Sequence, residues 1–298
     1  MEAATCSQRL GFFSPIDSEK MTRKPNGFVS LSRRSNEDRM IRLCNSRNLR
    51  YLPKLGNFKL SCCVKNAQAI ESEQSYALVE EPLILQKKSQ EIAPDLSGRC
   101  IYLVGMMGSG KTTVGKILSE VLGYSFLDSD KLVEQAVGGT SVAQIFKQFS
   151  ESYFRDNETQ VLQELSTMRC LVVATGGGAV IRPINWKYMK NGITVWLDVP
   201  LEALARRIAA VGTGSRPLLH DESGDAYTKA LHRLSSLYEE RGEAYANADA
   251  TVSLEHAAAK LDLLDVCDLT PTAIATEVLV QIENFLKGDN GKMTIARS

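Results

Sequence analysis

The sequence predicts an α/β fold in which helices cover both faces of a parallel β-sheet, within a chain of 298 residues. Three observations support this prediction. A short apolar segment over 100–104 precedes a glycine-rich loop and a helical pattern. A fully apolar run over 171–174 is typical of a strand buried on both faces. Strand-like and helical patterns alternate through the rest of the chain, as in parallel sheets.

The other elements follow from the period of their apolar residues. We expect further strands over 125–127, 194–199 and 251–254, and helices over 132–136, 142–149, 151–165, 201–211 and 271–286. Ligands of open parallel sheets bind at the carboxyl ends of the strands. We therefore expect the functional residues to gather where these strands end.

Composition excludes several classes of protein. Hydrophobic residues make up 44% and charged residues 23%, a balance typical of a globular rather than a disordered chain. The formal net charge is zero, which gives no reason to expect a nucleic-acid partner. No apolar run approaches the roughly 18 residues of a membrane helix, so no membrane partner is expected. The histidines and cysteines lack the spacing of zinc ligands.

The N-terminal segment differs from the rest of the chain. Residues 1–65 hold 13 basic and five acidic residues, whereas the remainder holds 22 basic and 30 acidic residues. A basic, serine-rich segment of this kind predicts a disordered organelle transit peptide. The alternative is a basic disordered arm that binds nucleic acid or a protein partner. We expect a linker and lead-in over 66–97 with a short helix over 83–92, a folded domain over 98–290 and a disordered tail over 291–298.

Residues 105–112 read GMMGSGKT, which matches the phosphate-binding loop pattern G-x-x-x-x-G-K-[ST]. The loop lies between a predicted strand and a predicted helix, as that motif requires. Its backbone N–H groups are expected to hold a triphosphate, with Lys111 on the β and γ phosphates and Thr112 on Mg²⁺. The alternative is a glycine-rich turn with a surface lysine.

The acidic pair Asp128 and Asp130 follows the predicted strand over 125–127. One carboxylate is suited to a Mg²⁺-bound water and the other to an acceptor hydroxyl, the alternative being that Asp130 caps a helix. The chain lacks the NKxD element of GTPases. These observations favour a phosphotransferase with a small acceptor.

Three basic residues and a glycine segment are further candidates. Arg155 and Glu158 share one helix face, which suits a clamp for a substrate carboxylate or, alternatively, a weak surface ion pair. Residues 176–178 are three glycines that allow a ligand to approach the backbone, or simply form a flexible turn. Arg216 lies in a polar stretch typical of a mobile lid, or of an ordinary loop. Arg241 alone reads as a solvated charge.

Together these motifs resemble the shikimate kinases, in the form found in plant chloroplasts. The matching pieces are GMMGSGKTT at 105–113, DSD at 128–130, FRDNE at 154–158, TGGGAV at 175–180 and RPLLH at 216–220, within a resemblance covering about 98–287. It implies the P-loop fold of nucleoside monophosphate kinases, with strand order 2-3-1-4-5 and a mobile lid. It also implies ATP-dependent phosphorylation of the 3-hydroxyl of shikimate in the chloroplast stroma.

The resemblance implies a role for each matched residue. ATP would be bound by Gly108, Ser109, Gly110, Lys111, Thr112, Thr113 and Arg216, and Mg²⁺ by Thr112 and Asp128. Shikimate would be bound by Asp130, Arg155, Gly176, Gly177, Gly178, Arg241, Phe146, Phe154 and Glu158. Lys111, Asp130 and Arg216 would be catalytic.

Two other functions stay open at this point. A kinase of gluconate or of a nucleoside monophosphate would share the loop and the fold, and a non-catalytic kinase-like plastid protein would keep the fold alone. The approach to the lid and a segment over 260–269 depart from compact bacterial members of the family. The adenine contact is therefore not assigned, with Arg206 or Arg207 as candidates.

Overall fold

A computed structural model of the chain describes residues 73–211 and 225–295, with side chains described over 80–210 and 225–288. The strands are β1 (Ile101–Val104), β2 (Ser125–Asp128), β3 (Leu171–Ala174), β4 (Ile193–Asp198) and β5 (Ala250–Ser253). The helices are α1 (Glu73–Leu96), α2 (Lys111–Leu122), α3 (Ser129–Ala136), α4 (Val142–Gln148), α5 (Glu151–Leu165), α6 (Pro183–Met189), α7 (Leu201–Val211), α8 (Ala226–Tyr245), α9 (Leu254–Lys260) and α10 (Pro271–Ile295). The predicted transit peptide over 1–65 lies outside the described residues, as does Arg216.

The five strands form one parallel sheet in the order β2-β3-β1-β4-β5, which confirms the predicted fold class and strand order. Every residue of β1 and β3 is buried, as expected for strands that helices cover on both faces. Ile101 of β1 pairs with Val172 of β3 and with Ile193 of β4, so β1 lies at the centre of the core.

The register of the sheet positions the predicted motifs. Asp128 at the end of β2 pairs with Ala174 at the end of β3, and Ala174 also pairs with Leu103 of β1. The phosphate-binding loop, the acidic pair and the glycine segment therefore leave three adjacent strands at the same edge of the sheet. Residues that are far apart in sequence become neighbours because parallel strands end on the same side.

Helix α1 is longer than the short helix expected over 83–92, and its second half packs against the domain. Leu85, Ile92 and Leu96 are buried in the common core. Lys88 Nζ lies 2.6 Å from Glu283 Oε2 on α10. From residue 80 onward, the segment expected to be a linker is therefore packed as part of the folded domain.

Helix boundaries follow the sequence closely where the apolar period is long, as in α5 and α7. The predicted elements include neither α6 nor α9, each of seven residues. A helix of that length spans less than two full turns, so its apolar period is a weak signal. Helix α10 continues to Ile295, past its predicted end near residue 286 and into the segment for which a disordered tail is predicted. None of the helices in the described part of the chain combines the length and the hydropathy of a membrane-spanning segment.

Candidate active site

The phosphate-binding loop connects β1 to α2. Gly108 and Gly110 adopt φ angles of 81° and 93°, in the left-handed region that favours glycine. Gly110 is also the N-cap of α2 and has no side chain with which to cap the helix, so no side-chain cap occupies the N–H groups of the first turn. The loop thus forms a concave surface of backbone amides suited to an anion.

The Lys111 side chain bends back over this loop. Its Nζ atom donates hydrogen bonds to the carbonyl oxygens of Gly105 and Met106, both at 2.8 Å, and lies 3.2 Å from Ser109 Oγ. Lys111 is buried, and so is Ser109. The alternative of a turn with a surface lysine is excluded, since the ammonium group is held inside the loop.

Asp128, the first residue of the acidic pair, connects Thr112 of the phosphate-binding loop with the start of α3. Its Oδ2 atom accepts a hydrogen bond of 3.1 Å from the Thr112 hydroxyl, and its Oδ1 atom accepts from the backbone N–H groups of Asp130 and Lys131. The N-cap of α3 is therefore Asp128 and not Asp130, the residue for which the sequence left capping open. The carboxyl group of Asp130 remains available for another role.

Asp130 lies at the start of α3 beside the glycine segment. Burial, together with the negative charge of Asp128, raises the pKa of its carboxyl group to about 6, although the positive charges of Lys111 and Arg155 oppose this shift. Two cations from separate elements thus act on one carboxylate. Strongly shifted acids between opposing charges are typical of catalytic sites.

The glycine segment packs directly on charged side chains, which excludes the alternative of a flexible turn. A Cβ at Gly176 would overlap Asp130 Oδ1 and lie 2.8 Å from Glu158 Oε1, and a Cβ at Gly178 would lie 2.6 Å from Arg155 Cζ. The Gly176 N–H donates a 2.9 Å hydrogen bond to Ser129 Oγ. Sequence reasoning missed Ser129, although its place between the two aspartates was a signal.

Arg155 and Glu158 form a buried ion pair on α5. Arg155 Nη1 lies 2.8 Å from Glu158 Oε2, and Arg155 Nη2 lies 3.2 Å from the more exposed Glu151. Burial raises the pKa of Glu158 to about 7 even though Arg155 lowers it. The other oxygen of Glu158 is buried without a hydrogen-bond partner among the described residues. The weak surface pair left open by the sequence is excluded.

Arg241 of α8 is also buried, with only 5% of its surface exposed. The interpretation of Arg241 as a solvated charge, which its sequence context suggested, is therefore wrong. Burial lowers the pKa of its guanidinium group, and the nearby positive charge of Arg155 lowers it further. Its Nε atom has no hydrogen-bond partner within the described part of the chain. Two arginines from separate helices thus share one buried region, where an anion would relieve their repulsion.

The two candidate phenylalanines are in contact. The ring centroids of Phe146 on α4 and Phe154 on α5 lie 5.1 Å apart, and the Arg155 guanidinium lies 5.3 Å from the Phe154 centroid. The structure therefore brings the two phenylalanines that are predicted to bind the substrate next to Arg155 of the predicted carboxylate clamp.

The two arginines at the approach to the lid have different surroundings. Arg207 Nη1 lies 3.4 Å from the Gly108 carbonyl oxygen of the phosphate-binding loop. Arg206 instead pairs with Asp265 at 2.6 Å, which ties α7 to the segment over 260–269. Of the two, Arg207 is the neighbour of the phosphate-binding loop.

A phosphate-binding loop at the centre of a parallel sheet in this order defines a P-loop protein with the fold of nucleoside monophosphate kinases. Residues 107–283 match the family model described as shikimate kinase, and the chain belongs to that family.

The names of similar proteins and structures support the assignment to this family. The chloroplastic shikimate kinase of Solanum lycopersicum is 55% identical over 95% of this chain and 97% of its own length. Shikimate kinase 1 of Oryza sativa, also chloroplastic, is 69% identical over 70% of this chain and 68% of its own. A structure of the Acinetobacter baumannii shikimate kinase in complex with shikimate is 33% identical, with a TM-score of 0.53 over 65% of this chain and 96% of that one.

Proposed function

We propose that this chain is an enzyme that transfers the γ-phosphoryl group of ATP to the 3-hydroxyl of shikimate, giving shikimate 3-phosphate and ADP. One observation carries the proposal beyond family membership. Two buried arginines on separate helices, Arg155 and Arg241, lie close enough for their charges to interact, and the charge of Arg155 also acts on Asp130. This arrangement suits a small acceptor with an anionic end and a reactive hydroxyl.

The phosphates of ATP would lie on the amides of residues 108–113. Lys111 would exchange its bonds to the Gly105 and Met106 carbonyls for bonds to the β and γ phosphates. That exchange keeps the ammonium group hydrogen-bonded in both states, so binding leaves no buried charge unpaired. Arg216 from the lid would stabilise the phosphoryl group during transfer.

The residues next to the loop fit Mg²⁺. The Thr112 hydroxyl and the Asp128 carboxylate are hard oxygen donors 3.1 Å apart. Within the described residues, no group of three or more histidine, cysteine or acidic side chains could hold a metal ion alone. Water and phosphate oxygens would therefore complete the shell. When bound, Mg²⁺ would neutralise charge on the phosphate oxygens.

The acceptor would bind between the arginines and Asp130. Arg155 and Arg241 would hold the shikimate carboxylate, Glu158 would orient Arg155, and Phe146 and Phe154 would line the ring. The backbone of Gly177 would contact a ring hydroxyl. Asp130, ionised above about pH 6, would orient the 3-hydroxyl and accept its proton. Phosphoryl transfer depends mostly on such positioning and charge neutralisation.

We place the enzyme in the chloroplast, and more specifically in the stroma. Plant relatives covering nearly the whole chain are named chloroplastic. The basic, serine-rich segment over 1–65 has the composition of a transit peptide that would direct the chain there.

The proposal is tested by an ADP-release assay on the chain from residue 66 onward, with Mg²⁺ and with shikimate, gluconate or AMP as acceptor. We expect turnover with shikimate, loss of turnover when Mg²⁺ is chelated, and no turnover above background with the other acceptors. Shikimate binding without ADP release would instead favour the non-catalytic alternative. Turnover with gluconate or AMP alone would favour a different kinase.

A further inference from the structure

Tyr245, the last residue of α8, contacts three parts of the site: the glycine segment, the phosphate-binding loop and the Arg241 side chain. Its side chain is fully buried, one helical turn after Arg241. Its hydroxyl donates a 2.6 Å hydrogen bond to the Gly177 carbonyl oxygen and lies 3.5 Å from Met106 Sδ in the phosphate-binding loop. One hydroxyl group thus lies where the acceptor side and the nucleotide side of the site meet.

The position and the protonation state of this tyrosine are both well defined. The Trp196 ring of β4 stacks on the Tyr245 ring with centroids 5.7 Å apart and an interplanar angle of 15°. Burial raises the pKa of the Tyr245 hydroxyl above its ordinary value, and Arg241 only partly opposes this shift. The phenol therefore stays protonated and remains a hydrogen-bond donor at neutral pH.

The hydrogen bond fixes one peptide unit of the glycine segment. The Gly177 carbonyl and the Gly178 N–H belong to the same planar trans peptide and point in opposite directions. When Tyr245 holds the carbonyl, the Gly178 N–H must point away from Tyr245. The Gly178 Cα is the atom whose added Cβ would meet the Arg155 guanidinium, so this peptide lies against the proposed carboxylate clamp.

We infer that Tyr245 is a positioning residue for the acceptor, because its hydroxyl fixes the Gly177–Gly178 peptide relative to Arg155, Arg241 and the phosphate-binding loop. The inference rests on the proposed function. Tyr245 itself would not touch shikimate. Its effect would be to hold the glycine backbone, and the Arg155 side chain next to it, at the distance from the phosphate-binding loop that phosphoryl transfer requires.

The chain offers a matched control in Tyr102 of β1. Tyr102 is as fully buried as Tyr245, but its hydroxyl has no hydrogen-bond partner among the described residues. Replacing either tyrosine with phenylalanine removes one buried oxygen and keeps the ring. Only Tyr245→Phe also releases a backbone carbonyl of the glycine segment.

The experiment compares the full chain with its Tyr245→Phe and Tyr102→Phe variants. For each protein, kcat and KM are measured for shikimate, and Kd is measured for a non-hydrolysable ATP analogue. We expect Tyr245→Phe to lower kcat/KM for shikimate about tenfold, the effect of losing one well-placed hydrogen bond. The Kd of the ATP analogue should stay within twofold of that of the unmodified chain. Tyr102→Phe should leave all three constants within twofold.

Three results would overturn the inference. These are a kcat/KM for shikimate within twofold of the unmodified chain, an equal loss in Tyr102→Phe, or a Tyr245→Phe chain that does not fold, which would make the hydroxyl a stabilising group only. If the unmodified chain fails to phosphorylate shikimate, the proposed function fails and this inference with it. A working unmodified chain with an unaffected Tyr245→Phe variant refutes the inference alone.

Discussion

Arg155 Nη1 and Glu158 Oε2 are 2.8 Å apart, and both side chains are buried at the edge of the proposed acceptor pocket. Removal of either partner would leave a charge in a poorly hydrated site. The same pair on a solvated helix face would contribute little. Its burial therefore makes the pair a rigid support that presents a guanidinium group to an anion.

Arg155→Ala should act mainly on shikimate binding. Loss of charge-assisted hydrogen bonds to the shikimate carboxylate should raise KM for shikimate by roughly 10- to 100-fold, with a smaller change in KM for ATP. Steady-state kinetics with each substrate varied in turn measure this. Arg169→Ala is the control, since Arg169 is exposed at the opposite edge of the sheet. An unchanged KM for shikimate in Arg155→Ala would contradict the clamp.

The rate should depend on the ionisation of Asp130. Only its charged form accepts the proton of the 3-hydroxyl, and burial raises its pKa to about 6. We expect kcat/KM for shikimate to fall up to tenfold per pH unit below about pH 6 and to level off above it. A pH–rate profile measures this limb. A limb near pH 4, the ordinary range of aspartate, would argue against Asp130 as the base.

Asp130→Asn should lose activity and gain stability. Because the folded state raises the pKa of Asp130, the folded chain binds a proton more tightly than the unfolded chain. Its stability therefore falls as pH rises from about 4 to about 6, and the full penalty remains above that range.

A neutral amide escapes this penalty, so the free energy of unfolding at pH 7.5 should rise by about 3 kcal/mol. Turnover should fall at least about 100-fold. Urea unfolding at pH 5 and pH 7.5 with a turnover assay tests both effects. A variant less stable than the unmodified chain at pH 7.5 would refute the electrostatic explanation.

Lys111→Ala should remove most of the activity without unfolding the chain. Lys111 supplies the cation inside the phosphate-binding loop, so its loss should lower kcat by about 100-fold or more. Lys116→Ala is the matched control, since Lys116 lies on the same helix but is exposed and rests over the Phe126 ring. Similar kcat values for the two variants would mean that Lys111 does not act on the phosphates.

Gly178→Ala should damage both stability and acceptor binding. Its Cβ would lie 2.6 Å from Arg155 Cζ, and the buried ion pair limits how far Arg155 can move. We expect a loss of about 1–3 kcal/mol in the free energy of unfolding. The nearest atom to a Cβ at Gly177 is Met107 N at 3.5 Å, so Gly177→Ala should cost less than about 1 kcal/mol. Equal losses of stability in Gly177→Ala and Gly178→Ala would show that glycine is needed for its backbone freedom rather than for the lack of space for a Cβ atom.

Sequence patterns determined the strand–loop–helix around Lys111, the parallel sheet and the motifs at its carboxyl edge. These features depend on local periodicity and on turn chemistry, which a single chain displays directly. The family resemblance, rather than spacing, led to Arg241, because a lone arginine in a helical pattern looks solvated.

Only the tertiary structure decided which polar groups are buried and what they contact. It made Arg155–Glu158 a buried pair rather than a surface one, made Asp128 rather than Asp130 the helix cap, and packed residues 80–96 on the core. It also placed the Tyr245 hydroxyl on the Gly177 carbonyl, across 68 residues of sequence. Burial, charge coupling and long-range hydrogen bonds depend on how separate elements pack, and no local pattern records that packing.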